Sequence, residues 1–307
     1  MKIPSKTVLI TGGTGFLGSF LVKKFIEEGH KVIVLKRSFS NLWRLHNLKQ
    51  EILFYNIDKT DLETPFKENK IDAIIHTATL YGRKNEKTSD IVYTNLLFPL
   101  KLLEIATFFN TDTFFNTDTF FNTDTSLFGY LNRYTLSKKQ LIDWLKVYSK
   151  DIKIFNLKLE HMYGEKDDTT KFVPWLIVNL LKNHKKIQLT EGKQKRDFIY
   201  VEDVCNAYYT IFNNSDKFNK GFYEYEVGSG KAIEIREFVQ IVKRLTNNEN
   251  TYLNFGAIPY RENEVMYSQA DISKLQTDFN WKPYYSLEEG LKKTVQWYKE
   301  NLNERFI

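Results

Sequence analysis

The stretch TFFNTDTFFNTDTFFNTDTSLFGYLNRYTLSKK, residues 107–139, sets three tandem copies of FFNTDT ahead of a tyrosine and a lysine spaced YxxxK. Tyr134 and Lys138 fall one turn apart on one helical face, where an ammonium favours the ionised form of a neighbouring phenol. A threonine from the repeat would add a hydroxyl able to orient a polar group. Near the start of the chain, VLITGGTGFLGSFLVKKF places Gly12, Gly15 and Gly18 in the spacing GxxGxxG. Such glycines let the backbone turn sharply against a pyrophosphate, and the helix that follows offers free N–H groups and the positive end of its dipole. Proton transfer beside a bound dinucleotide is the chemistry these residue types can perform together.

The elements that must position them alternate. Short β-branched runs (Val8 to Thr11, Lys31 to Leu35, Ile52 to Tyr55, Ala73 to His76) are separated by amphipathic stretches, Phe16 to Glu28 and a helix from about Asp90. Strands parted by helices imply right-handed crossovers and a parallel sheet covered on both faces. The expected fold is α/β, a Rossmann-like doubly wound parallel sheet with a smaller, interwoven C-terminal domain. Later, IKIFNLKL reads as a further buried strand, and KFVPWLIVNLLKN, VEDVCNAYYTIFNN and SLEEGLKKTVQWYKEN read as helices, the last capped by Ser286. The domains expected are 1–160 with 197–227 for the dinucleotide, and 161–196 with 228–307 for the substrate.

The apolar stripe Leu96, Leu100, Leu103, Ala106 and Phe109 carries the helix from Asp90 into the first FFNTDT copy. Copy two, residues 114–119, is then expected to enter the sheet and copy three to form the loop beyond, with copy three as the alternative strand. That register puts Thr117 at the carboxyl end of a central strand, where open α/β sheets bind ligands, 17 residues before Tyr134.

The second strand ends in Lys36 and Arg37, where an NAD site carries an acid for the ribose 2′-hydroxyl; two cations there favour a 2′-phosphate, and so NADP. Asp58 suits the adenine amino group, and the small residues Thr77, Ala78 and Thr79 let a cofactor lie against the fourth strand. Thr14, Phe16 and Leu17 on the glycine loop, and Asn95 on the helix from Asp90, complete the expected cofactor set with Tyr134 and Lys138.

The net charge of +6 comes from scattered basic residues interleaved with acids, which argues against a nucleic-acid surface. The only cysteine, Cys205, forms no intramolecular disulfide, no signal peptide is expected, and TVLITGGTGFLGSFLV is too short to span a bilayer. A soluble protein of a reducing cytoplasm is expected, with no membrane partner and no metal ion.

Taken together, the glycines, the strand-end threonine and Tyr134-Thr135-Leu136-Ser137-Lys138 resemble the extended short-chain dehydrogenase/reductase family over essentially the whole chain. The resemblance implies Tyr134 as the acid that protonates a carbonyl oxygen, Lys138 as the ligand of the nicotinamide ribose and Thr117 as donor to the substrate oxygen. LEHMYGEKDDTTKFVPWLI, EGKQKRDFIYVEDVCNA and GAIPYRENEV resemble segments of nucleotide-sugar enzymes, which implies that His161 and Lys171 contact the nucleotide and Arg196 and Arg261 its diphosphate, with Thr119 near the sugar. Three departures stand out: Glu165 replaces the proline usual after Tyr-Gly, the triplet Thr117-Asp118-Thr119 lacks the glutamate of dehydratases, and the connection to YxxxK is short. LKRSFSNLWRL, HTATLYGR and NTDT most resemble nucleotide-sugar 4-ketoreductases that finish 3,6-dideoxy sugars. The expected activity is NADPH-dependent reduction of a 4-keto nucleotide-deoxysugar for a surface polysaccharide, by a homodimer paired through the helix near 90–110 and the one at Tyr134. An NAD-dependent 4-epimerase and a non-catalytic nucleotide-binding scaffold are the alternatives.

Overall fold

In the computed structural model, which describes residues 4–83, 85–109, 117–127 and 131–303, the chain runs β1 (Thr7–Thr11), α1 (Phe16–Glu27), β2 (Lys31–Lys36), a 3₁₀ helix (Trp43–Glu51), β3 (Ile52–Asn56), α2 (Thr64–Glu68), β4 (Ala73–His76), α3 (Thr88–Val92), a π turn (Tyr93–Leu97), α4 (Phe98–Phe109), β5 (Thr119–Thr125), α5 (Arg133–Tyr148) and β6 (Lys153–Leu159). There follow β7 (His161–Tyr163), α6 (Phe172–Leu181), β8 (Lys186–Leu189), β9 (Lys195–Tyr200), α7 (Val201–Asn214), β10 (Gly221–Val227), β11 (Ala232–Glu234), α8 (Ile235–Leu245), β12 (Tyr252–Phe255), β13 (Tyr267–Ser268), α9 (Ser273–Phe279) and α10 (Leu287–Glu300). Two compact units emerge, residues 1–158 with 207–225 and residues 159–206 with 226–307.

The first unit is built on a seven-stranded sheet in the order β10-β6-β5-β4-β1-β2-β3. Strands β3, β2, β1, β4 and β5 pair in parallel, as crossover connections require. This is the doubly wound sheet expected from the alternation. One face packs Leu9, Ile33, Ile74 and Phe120 against Leu102, Leu103 and Ala106 of α4 and Leu141 and Leu145 of α5. On the other face Phe25 of α1 meets Phe212 edge-on, and Phe121 lies 6.1 Å from Tyr208 of α7. Thr88–Phe109 has the length and apolarity to cross a membrane by composition, yet its Leu102, Leu103 and Ala106 are fully buried against the sheet.

The FFNTDT copy in the sheet is the third. Strand β5 is Thr119–Thr125, which overturns the expected placement of copy two. Copies one and two fall largely on residues 110–116, outside the described residues. Phe120 and Phe121, adjacent in a strand, point to opposite faces, so a parallel strand buried on both sides accepts the pair. Thr117 precedes the strand: its hydroxyl donates to the Ile71 carbonyl at 2.8 Å, and Asp118 pairs with Lys153 at 2.9 Å. Both contacts lie at the amino edge, opposite the glycine loop, so Thr117 cannot serve as the strand-end hydroxyl. Thr119, the first strand residue, donates to Asp118 and is buried at that same edge, which also removes it from the expected sugar contacts.

The second unit arranges β7, β9, β11 and β13 around β9, with β8 and β12 as a separate parallel pair. Asp197 fixes the loops around it by accepting from the Ser229 N–H and hydroxyl (2.7 and 2.6 Å) and the Gly230 N–H (2.9 Å). Ser286 caps α10 in a reciprocal box with Glu289, as its sequence signature anticipated.

Because Thr117 closes a buried hydrogen bond at the amino edge, Thr117→Val is expected to lower unfolding free energy by about 1–2 kcal/mol. Denaturant titration would show the loss, while catalytic turnover should be unchanged because Thr117 lies away from the carboxyl end of the sheet. A large loss of turnover with the fold retained would return Thr117 to the site.

Candidate active site

The glycine loop is built for close approach. Gly12 holds φ at +68°, and a Cβ there would meet the Ala78 nitrogen at 2.6 Å. At Gly18 a Cβ would collide with the Gly12 carbonyl oxygen. These contacts press β1, β4 and the start of α1 together, so only glycine fits. Gly15 caps α1 without a side-chain bond, and the first-turn N–H groups of Phe16, Leu17 and Gly18 have no acceptor within the helix. A pyrophosphate fits that cradle. Thr14 lies between the glycines and its carbonyl receives the Arg44 guanidinium at 3.4 Å. A dinucleotide therefore suits the residues present.

Just beyond β4, Thr77 donates to the Thr11 carbonyl at 2.7 Å, and Ala78 lies against Gly12. Thr79 donates to the Asn95 carboxamide oxygen at 3.2 Å. Asn95, in the π turn, also accepts the Leu80 N–H at 2.8 Å and donates to the Leu80 carbonyl at 2.9 Å and the Ser137 hydroxyl at 3.0 Å. A carboxamide has two donors and two acceptor sites, and all four are used. The expected cofactor contact of Asn95 is thus replaced by a positioning role, tying the loop after β4 to α5.

Helix α5 starts where Asn132 accepts the Thr135 N–H at 3.0 Å while the Thr135 hydroxyl accepts the Asn132 N–H at 3.0 Å. This box fixes the rotation of the first turn and with it the direction of Tyr134 and Lys138. The Thr125 hydroxyl, at the carboxyl end of β5, acts on the Tyr134 phenol and eases its ionisation. Its ring lies 4.9 Å from that of Tyr81, over which Arg83 is stacked at 5.0 Å. Thr125, not Thr117, is therefore the hydroxyl that the fold delivers to the tyrosine.

Burial sets the proton balance. It pushes the Tyr134 phenol well above its ordinary value, Tyr81 and Asp124 push the same way, and Thr125 and Arg83 only partly oppose them. The spacing implied a phenol eased toward ionisation by Lys138; the structure instead holds it as an acid. Burial likewise brings the Lys138 amine down to about 8, opposed by Asp124 and aided by Lys139. His76, fully buried and facing the Lys138 charge, is held neutral for the same two reasons. Asp124 is clamped by Lys139 at 2.8 Å, while its Oδ1 is buried without a hydrogen bond.

At the adenosine end, Lys36 bends to β3, donating to Asn56 Oδ1 at 2.7 Å, whereas Arg37 is exposed and stacked 4.8 Å over Phe39. Asp58 accepts the Ser38 N–H and hydroxyl, both at 2.6 Å, so it pins the turn after β2 rather than standing open for the adenine.

In the second unit, Arg196 on β9 is buried and pairs with Glu264 at 2.5 Å. Glu264 closes a turn onto the carbonyl of the exposed Arg261, so the two arginines share that turn. His161 on β7 faces Phe198 across the β7–β9 pair, 5.9 Å between rings, and its Nδ1 lies 3.2 Å from Glu160. Lys171, which caps α6, is paired with Asp167 at 2.8 Å. Glu165 turns inward to accept the Tyr200 hydroxyl at 2.8 Å.

The model of the NAD dependent epimerase/dehydratase family matches residues 8–228. The chain belongs to that family. Among relatives of this family member, CDP-abequose synthase of Salmonella muenchen is 37% identical over 294 residues, covering 95% of this chain and 97% of the relative. CDP-abequose synthase of Salmonella typhimurium is 32% identical over 303 residues, covering 96% and 99%. The structure of Thermotoga maritima UDP-glucose 4-epimerase with UDP-glucose superposes with TM-score 0.81 at 24% identity, covering 96% of this chain and 99% of that one. That last likeness concerns the fold.

Sequence reading missed Thr125, Asp124, His76 and Arg44. Asp124 and Thr125 were hidden by the degeneracy of the repeat. His76 ends a strand already recognised, and Arg44 lies on a short 3₁₀ helix with no periodic signal.

Below about pH 8 the buried Lys138 amine is charged in both folded and unfolded chains. Between that pH and the ordinary lysine value of 10.5 the folded protein loses the proton first, so stability rises. Relative to Lys138→Met, the wild type is expected to gain ~3 kcal/mol across this window. Urea titrations at about pH 7.5 and about pH 10 measure the difference; parallel behaviour of the two proteins would contradict a buried ammonium.

Proposed function

We propose that this protein reduces the 4-keto group of a nucleotide-linked deoxysugar to a hydroxyl with NADPH, a step in making a surface polysaccharide. The observation that carries the proposal is the Tyr134 phenol, held protonated by burial and packed against Tyr81, on the same face of α5 as the buried Lys138. The similarity to CDP-abequose synthases supports the same substrate class. The cofactor, when bound, supplies the hydride to the carbonyl carbon. Tyr134 gives its proton to the carbonyl oxygen and regains one from solvent. Thr125 donates a hydrogen bond that orients that oxygen, and Lys138 holds the nicotinamide ribose.

With the third copy in the sheet, the triplet becomes Thr123-Asp124-Thr125 and still lacks the glutamate of dehydratases. Asp124 is engaged by Lys139, which favours reduction over dehydration. In this reading the first unit is the dinucleotide-binding part. Arg196 and Arg261 of the second unit take the diphosphate, since a planar guanidinium matches it in two places, and His161 and Lys171 flank the nucleotide.

The protein also acts as a homodimer in this reading. Tyr93 and Leu97 on the π turn and Leu136, Trp144 and Val147 on α5 are exposed large apolar residues, and their spacing of three, four or eight sets each group on one helical side. Trp144→Glu is expected to convert dimer to monomer in light scattering with the fold retained. A wild-type monomer at micromolar concentration would contradict the assembly.

The defining assay offers 4-keto CDP-, GDP-, UDP- and dTDP-sugars with NADPH and follows absorbance loss and product stereochemistry. One keto sugar is expected to oxidise NADPH, with Tyr134→Phe lowering kcat by about 10²–10⁴-fold. Tightly retained NAD, with no NADPH consumed by any keto sugar, would instead support a 4-epimerase.

A further inference from the structure

The segment that leaves β4 continues through Leu80-Tyr81-Gly82-Arg83, and its root is tied to α5. Leu80 engages the Asn95 carboxamide through both of its backbone groups, Asn95 donates to the Ser137 hydroxyl, and Ser137 in turn donates to the Tyr134 carbonyl at 2.8 Å. Gly82 holds φ at +72°, the left-handed conformation that glycine permits. Across that turn the Arg83 guanidinium lies 5.0 Å over the Tyr81 ring, and that ring lies 4.9 Å from the ring of Tyr134. Arg83 and Tyr81 are exposed, so the series runs from solvent to the phenol.

We propose that Arg83, held over Tyr81, is a positioning residue of the reduction: its charge stabilises the Tyr134 phenolate left when the proton has passed to the carbonyl oxygen. This rests on the reductase reading above. In that step the phenol O–H bond breaks, the O–H bond of the product hydroxyl forms, and the negative charge stays on the phenol oxygen until solvent returns a proton. A buried phenolate needs a cation nearby. Of the groups facing Tyr134, Tyr81 and Asp124 oppose its ionisation and Thr125 and Arg83 favour it; Lys138 stands one turn away on the same face of α5. Lys138 is itself faced by Asp124, Lys139 and the neutral His76, and its amine, brought down to about 8, ceases to be a cation above that pH. A guanidinium keeps its charge at every working pH, and stacking on a ring restrains it without consuming its N–H groups. The two cations therefore divide the range: both serve below about pH 8, and Arg83 alone serves above it.

The test follows NADPH oxidation by the keto sugar that the wild type turns over, at about pH 7 and about pH 9.5, with thermal melting to confirm that each variant is folded. Arg83→Gln is expected to lower kcat by about threefold at the lower pH and by about tenfold or more at the higher, with KM held within about twofold. Arg83→Lys should recover part of the loss, and Tyr81→Leu, which removes the platform, should reproduce the growth of the deficit with pH. A deficit of equal size at the two pH values would make Arg83 a brace of its loop and overturn the proposal, as would a wild-type kcat for Arg83→Gln at the higher pH. A raised KM with kcat preserved would assign Arg83 to substrate binding and overturn it as well. In each of these cases wild-type turnover leaves the reductase reading standing. A wild type that turns over no keto sugar defeats that reading, and the proposal with it.

Discussion

The pinning of β5 at its two ends is the constraint from which the site follows. At the amino edge Thr117 holds the Ile71 carbonyl and Asp118 holds Lys153. At the carboxyl edge Asp124 holds Lys139 of α5. Between them Asn122 donates to Asn156 of β6 at 2.7 Å. A shift of one hexapeptide would preserve the identity of every strand residue, so the alternation of faces cannot choose the register as it does in ordinary strands. Contacts to the surroundings must choose it, and they decide which threonine reaches Tyr134.

Burial then does the electrostatic tuning. Lys138 is 2% exposed, and Tyr134 is flanked by Tyr81. Removing water disfavours both charged forms, so the amine is loosened and the phenol is held protonated. A carboxylate at Asp124 moderates the first effect and reinforces the second. Neutral His76 adds no further positive charge next to Lys138. The result is a protonated phenol and a titratable amine on one face of α5.

The second unit resolves a parallel problem by pairing. Arg196 is too buried to stand alone, and Glu264 offsets its charge from the same turn that bears Arg261. Asp197, its neighbour in the RDF segment, turns the other way into the N–H groups of the loop at Ser229 and Gly230. Successive residues of one strand, pointing to opposite faces, thus divide between a buried ion pair and an internal brace.

The parallel sheet, the glycine loop, the capped α10 and the Tyr134–Lys138 pair were legible in the sequence because each depends on local pattern: hydrophobic period, turn geometry and helical spacing. The register of the repeat was not. Placing copy two or copy three in the sheet exchanges connections at 110–118 and 126–132 for a shorter and a longer one, a difference of only ~0.4 kcal/mol in closure entropy, and either choice buries one Phe-Phe pair. Local sequence is therefore degenerate, and only partners distant in the chain, Ile71, Lys153, Asn156 and Lys139, break the tie. The same holds for Lys36, Asp58 and Asn95, whose types suit a cofactor but whose hydrogen bonds are claimed by Asn56, Ser38 and Leu80. Residue type states what a side chain can bind; the tertiary neighbours decide what it does bind, because a buried polar group left unpaired is costly.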